Sequence, residues 1–338
     1  MRIAYVIYPG ACFMGEGDGQ KMQAVIWKNA LEKEGIEVDL INPWKGYDWK
    51  HYDIIHVFGF GLWNYDFIHW GSKINPNFVF SPIIDTNTPM WKYKLATYCG
   101  NRHLRLYSQN YMLRILKKDI KLFFARTNYE AEYLHKGYDI EDEKISLVPL
   151  SYRFNHFKNM QKEKFCLFAG TMTQERKNVG ALIKAAQKYD FNLILVGNTG
   201  NNETYKKLKE QIGTNKNIEV KGFVSENELI DLYNRAKVFA LPSLNEGVGL
   251  VALEAAVHGC NIVITQLGGP KEYYNNLAYT INPYSIDDIG LSIKKALENN
   301  SLQPQLREHI INNYSPEQCI KSLVKSYRQL LTQEERIK

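Results

Sequence analysis

Short unbroken apolar runs alternate along this chain with longer stretches whose apolar positions recur every three or four residues. The runs fall at residues 2–8, 36–41, 52–58, 78–84, 122–127 and 144–149, then at 165–169, 192–196, 218–224, 238–242 and 261–265. Runs of this length, bounded by Gly, Pro and Asn, predict strands buried on both faces, as in parallel sheets. Helical periodicity is predicted between them, over 20–34, 128–136, about 178–188, 250–258 and 315–331. Ser225 and Glu228 read as a capping box for one further helix. Strand and helix in regular alternation make an α/β protein. At 338 residues the chain is long for one core, so two domains of roughly 150 residues are expected. Residues 151–164 are polar and aperiodic and read as the link between them. The expected division is 1–155 with the terminal helix at about 316–338, and 160–315.

The stretch 238–274 carries the strongest chemical signal. An apolar run leads into a turn, Ser243-Leu244-Asn245-Glu246-Gly247-Val248-Gly249, then into a helical pattern closed by Gly259, then into a second run ending at Gly268-Gly269-Pro270. In a βαβ unit ligands bind where strand ends meet helix N-termini. The N–H groups that open the helix after Gly249 suit a phosphate. Glu254 falls one turn inside that helix and Glu246 in the turn before it. Carboxylates are poor partners for phosphate and good acceptors for sugar hydroxyls, so the combination describes a nucleotide sugar.

Composition changes this picture little. An apolar fraction of 45% and a charged fraction of 23% are ordinary for a globular protein, and the net charge of +6 does not argue for nucleic acid. Five cysteines without paired spacing point to a reducing compartment. With neither a secretory leader nor an apolar run of membrane-spanning length, a cytoplasmic location is the expectation. Residues 90–121 stand apart: eight cations against the single acid Asp119 give +7, interleaved with Trp91, Tyr93, Tyr98, Tyr107 and Tyr111. This segment fits an anionic membrane surface and equally fits a solvated helix face; no nucleic-acid-binding motif accompanies it. Gly15, Gly17 and Gly19 form a glycine loop after the first strand, open to a ligand or to another segment. Asp85, delivered by a strand end, reads either as an active-site acid or as a turn cap before Pro89.

Glu246-Gly-Val-Gly-Leu-Val-Ala-Leu-Glu254 resembles the E-x7-E motif of retaining GT-B glycosyltransferases of family 4. Gly170-Thr171-Met-Thr-Gln-Glu-Arg176-Lys177-Asn178 resembles the donor loop of that family, and Val220-Lys-Gly222-Phe223-Val224 its base-side strand. The resemblance implies two facing Rossmann-like domains with a cleft between them. It implies that Glu254 holds the ribose, and that Glu246 contacts the transferred sugar and stabilises positive charge at its anomeric carbon. Gly247, Val248, Gly249 and Leu250 would offer N–H groups, while Arg176 and Lys177 neutralise the leaving diphosphate. Gly17, Gly170, Thr171, Gly197, Gly222 and Phe223 complete the expected donor contacts, and Asp85 stands nearest the acceptor-side position. The loop departs from the family in having Thr171 directly after its glycine.

The expected activity is therefore transfer of a hexose from a nucleoside diphosphate, UDP ahead of GDP, to a saccharide or lipid-linked saccharide in bacterial cell-surface glycan synthesis. Neither a metal nor another cofactor is expected, since two cations and a helix dipole already face the diphosphate. The competing readings are a sugar-nucleotide epimerase and a non-catalytic nucleotide-sugar or glycan-binding protein of the same fold.

Overall fold

The computed structural model describes residues 1–12, 19–59, 61–101, 103–299 and 302–337, and in it the chain divides into two compact units. The first comprises Met1–Leu150 with Pro316–Lys338, the second Ser151–Ser315. Residues 151–164, predicted as a link, thus belong to the second unit.

The first unit begins with β1 (Arg2–Ile7), α1 (Gly19–Lys33), β2 (Glu37–Leu40), β3 (Ile54–Phe58), α2 (Asn64–Gly71) and β4 (Phe78–Ser81). It continues with α3 (Met90–Tyr98), the small antiparallel hairpin β5 (Gly100–Asn101) and β6 (Leu106–Tyr107), and α4 (Gln109–Leu116). Then come β7 (Leu122–Ala125), α5 (Asn128–Glu132) and β8 (Ile145–Leu147). The six long-range strands form one parallel sheet in the order β2-β1-β3-β4-β7-β8. Every residue of β3 and β4 is buried, which is why their sequences are apolar without alternation. The helix predicted over 128–136 is α-helical only over α5; it then widens into a π turn, Tyr133–Gly137, that buries Tyr133, Leu134 and Gly137 together.

The second unit runs β9 (Glu163–Ala169), α6 (Val179–Tyr189), β10 (Leu193–Val196), α7 (Asn202–Ile212), β11 (Ile218–Gly222) and α8 (Glu226–Arg235). Ser225 caps α8 as predicted, accepting from the Glu228 N–H. β12 (Ala236–Leu241), α9 (Leu250–Val257), β13 (Asn261–Thr265), β14 (Tyr279–Ile281), α10 (Ile286–Glu298) and α11 (Gln305–Tyr314) follow. Its sheet is again six-stranded and parallel, in the order β11-β10-β9-β12-β13-β14. The chain steps outward from β9 to β11, then returns to β12 and steps outward the other way. A crevice opens at such a reversal because the loops after β9 and β12 leave in opposite directions.

The last helix, α12 (Pro316–Ile337), packs on α1 of the first unit. Its Tyr327 is wholly buried and bonds His56 Nδ1 at 2.5 Å and the Tyr5 hydroxyl at 3.2 Å, while His56 Nε2 meets the Ser81 hydroxyl at 2.8 Å. Among the described residues no helix is long and apolar enough to cross a membrane.

Candidate active site

The reversal between β9 and β12 brings together two loops 69 residues apart in sequence. After β9 the chain passes Gly170 and Thr171 into a 3-10 turn, Glu175–Lys177, ended by Asn178 in the left-handed region. The Asn178 amide donates to the Pro242 carbonyl at 3.1 Å and the Pro283 carbonyl at 2.7 Å. The Leu244 N–H donates to the Arg176 carbonyl at 2.7 Å. These ties, two from the Asn178 side chain and one between backbones, hold the turn beside the Ser243–Glu246 loop.

Both cations point at Glu246. Lys177 Nζ lies 2.5 Å from Glu246 Oε2, with both side chains about nine-tenths buried. The guanidinium of Arg176 stands 3.5 Å from the same oxygen and also donates to the Asn245 carbonyl at 3.3 Å. The Ser243 hydroxyl completes the set at 3.1 Å. Three donors thus converge on one carboxylate oxygen at the mouth of the crevice. Tyr274 lies near this acid; its buried hydroxyl has no hydrogen-bond partner among the described residues, and desolvation together with the Glu246 charge drives its pKa upward.

The glycines line the same edge of the sheet. Gly170, Gly197 and Gly222 end or follow β9, β10 and β11, all with positive φ. Gly197 donates to the Gly222 carbonyl at 2.7 Å, and Gly170 to that of Val196 at 3.0 Å. Gly249, at φ 77°, caps α9; Gly247 and Val248 are buried beside it, and Leu250 is the first helical residue. Phe223 is apart from the cluster in one respect, being 79% exposed. Gly17 lies outside the described residues.

Glu254 is in α9 and fully buried. Its carboxylate accepts from Arg153 through both Nε and Nη2, the latter at 2.9 Å, and from the Tyr233 hydroxyl at 3.2 Å. Burial pushes its pKa up, and Arg153 opposes the shift. Arg153 was not among the residues expected from the sequence. It comes from the stretch read as a link, which is in fact strapped to α8 and α9. The His156 N–H donates to His258 Nε2 at 3.1 Å, the Lys158 N–H to Asn234 Oδ1 at 2.8 Å, and Lys162 Nζ to the Tyr233 carbonyl at 2.9 Å. An aperiodic stretch carries no pattern that reveals such ties.

Asp85 belongs to the first unit, after β4. Arg126 Nη2 holds it at 2.7 Å, and Arg126 is itself braced by Glu130, Nε to Oε2, at 2.8 Å. Glu130 Oε1 accepts the Ile84 N–H at 2.7 Å, and Ile83 has a left-handed φ of 62°. The acid is thus fixed by a buried ion network and a strained turn.

The segment 90–121 folds as α3, the hairpin and α4, and its charge is smaller than its composition suggests. Lys94 and Arg114 both pair with Asp139, at 2.7 and 3.0 Å, and Lys117 Nζ donates to the Tyr138 and Asp139 carbonyls at 2.8 Å each. Arg114 also stacks on Tyr98 at 3.4 Å. Lys92, Arg105 and Lys118 are exposed and have no carboxylate partner among the described residues. Trp91, Leu95, Leu104 and Leu106 are more than half exposed in the same segment. Arg102 lies outside the described residues. Among the described residues no three His, Cys, Asp or Glu side chains converge as a metal site.

Residues 152–334 match the profile of a family described as glycosyl transferases group 1. An uncharacterized glycosyltransferase of Methanocaldococcus jannaschii is 31% identical over 157 residues, 45% of this chain and 39% of that protein. The serotype-specific mannosyltransferase WbdA of Escherichia coli is 25% identical over 237 residues, 63% of this chain and 29% of that protein. The chain therefore matches well under two thirds of the length of either relative. Among solved structures, Anabaena HepE in complex with UDP aligns over 97% of this chain and all of its own, with a TM-score of 0.73 at 15% identity. That likeness is one of fold, the GT-B fold.

Proposed function

The chain belongs to the glycosyl transferases group 1 family, and from this premise we propose that it is a retaining glycosyltransferase of the family 4 kind. It moves a hexose from a nucleoside diphosphate to a saccharide or lipid-linked saccharide acceptor in cell-surface glycan synthesis. The observation that carries this reading is the convergence of Lys177, Arg176 and Ser243 on Glu246 at the strand reversal of the second unit.

Departure of a nucleoside diphosphate leaves positive charge at the anomeric carbon and negative charge on the phosphates. Glu246 meets the first; Lys177, Arg176 and the N–H groups opening α9 meet the second. Fixed charges in a water-poor crevice contribute more than the same charges in water. Two cations balance the diphosphate without a metal. Glu254 takes the ribose hydroxyls. UDP is the favoured nucleotide, a choice supported by the UDP complex of HepE, and the mannosyltransferase relative supports a glycan acceptor.

Asp85 orients the acceptor hydroxyl. The exposed aromatic and aliphatic side chains of α3 and the hairpin, with Lys92 and Arg105 beside them and Lys118 in the turn after α4, dock on an anionic membrane surface carrying that acceptor, at the cytoplasmic face. Replacing those three cations by Gln is expected to weaken binding to anionic liposomes, and unchanged binding would rule the docking out.

Glu246→Gln tests the catalytic reading. Transfer to a saccharide should fall about 100-fold or more, while the thermal shift given by UDP or GDP stays. A variant transferring at the wild-type rate would refute it, as would wild-type protein releasing an altered free sugar in place of a lengthened glycan.

A further inference from the structure

Glu254 is wholly shielded from solvent, yet it is the group that has to meet the ribose. Among the described residues two side chains bond its carboxylate, and they differ in one respect. Tyr233 is itself fully buried, whereas the Arg153 side chain keeps 20% of its surface exposed. Of the two, Arg153 is the one whose side chain reaches solvent.

The movable part is the Arg153 side chain. Its neighbours Tyr152 and Phe154 are buried and the strap is hydrogen-bonded from His156 onward, so the backbone stays in place while the guanidinium can swing. The guanidinium rests against the Phe154 ring at 4.7 Å, a contact that tolerates sliding better than a second ion pair would. Side-on pairing through Nε and Nη2, with the Tyr233 hydroxyl, fills three acceptor positions of a carboxylate that has no exposed surface, so a hydroxyl arriving from a ligand has to displace a side chain that covers it.

We propose that Arg153 gates the donor site: ribose hydroxyls reach Glu254 only when the guanidinium has swung off it, so the Arg153–Glu254 pair sets donor affinity. The inference rests on the function proposed above. When the binding-competent arrangement is a minor population, the apparent dissociation constant is raised by the reciprocal of that population. Loosening the pair without removing its charge should therefore tighten binding. Lysine does this, since it compensates the buried carboxylate with one ammonium and lacks the planar fork.

The test measures UDP and GDP binding to the full chain by calorimetry, wild type against Arg153→Lys. R153K is expected to bind about tenfold more tightly, the factor that corresponds to about 1.4 kcal/mol. A second measurement needs no variant: wild-type protein is treated with an arginine-directed dicarbonyl reagent with and without saturating nucleotide, and peptides are weighed. Labelling of Arg153 should rise with nucleotide. R153K binding no tighter than wild type, or labelling that stays level or falls, overturns the gate and makes Arg153 a fixed partner or a direct ligand. If R153K does not fold, the labelling decides alone. Wild-type protein that binds neither nucleotide overturns the proposed function and the gate with it, whereas binding without these effects overturns the gate alone.

Discussion

Lys177 and Glu246 form a buried ion pair whose members have separate tasks in the proposed reaction, so each also guards the other's solvation. Taking Lys177 away leaves the buried Glu246 with the more exposed Arg176, at 3.5 Å, as its counter-charge, a loss smaller than the about 3–5 kcal/mol of a buried charge left wholly unmatched. Lys177→Met should therefore lower the urea midpoint markedly. Lys177→Met with Glu246→Gln should recover much of that stability, because the buried group is then neutral and Arg176, with 40% of its side chain exposed, remains solvated. If the double variant were less stable than the single, the pair would not be the cause. The sequence marks these two residues as polar groups on loops beside strand ends. It does not mark Arg153, whose carboxylate partner lies 101 residues away and whose surroundings have no periodicity. Nor does it reveal that Asp139, 18 positions past Lys121, draws Lys94 and Arg114 out of what composition alone presents as a +7 surface.

At the scale of elements, the loops at the carboxyl edge of the second sheet depend on glycine to different degrees. Gly197 has φ 122°, and a Cβ there would run into the Gly170 carbonyl. Gly222 has φ 72° but open space around it. Gly222→Ala thus meets only the left-handed cost of about 1–2 kcal/mol, while Gly197→Ala adds a backbone collision that moves the donor loop. Thermal denaturation should rank Gly197→Ala as the more damaging, and nucleotide binding should weaken in that variant alone. Equal effects would mean that the two loops are not held against each other as the hydrogen bonds from Gly170 and Gly197 indicate. The sheet strands other than β14, and helices α1, α6, α8, α9 and α12, are legible because apolar periodicity is a local property that such segments carry whole. The π turn after α5 and the strap at 152–162 are not, since both follow from side-chain packing and capping by distant groups.

Across the first unit, α12 is fastened to the sheet by a buried polar chain, Tyr5–Tyr327–His56–Ser81. His56 is fully enclosed, and desolvation holds its pKa well below the ordinary histidine value. The unfolded chain takes up a proton near pH 6.5 that the folded one refuses, so this contribution is complete above about pH 6.5 and is lost as pH falls. Stability should decline on acidification from about pH 7 to 5, at up to about 1.4 kcal/mol per pH unit from this residue, and His56→Gln should flatten the decline. His258, held by burial at a pKa of about 4, adds a parallel slope in the second unit. A melting profile equally steep in His56→Gln would assign the dependence elsewhere. The sequence by itself determined the α/β class, the positions of the sheet strands other than β14 and of α1, α6, α8, α9 and α12, and the residue types at the strand ends, because burial on both faces and helical repeat are written into those segments. The tertiary structure alone decided which charges meet: Lys177 and Arg176 on Glu246, Arg153 on Glu254, Arg126 on Asp85. Those pairings depend on strand order, on the reversal between β9 and β12 and on loops tied by single hydrogen bonds, and none of these leaves a local pattern in the chain.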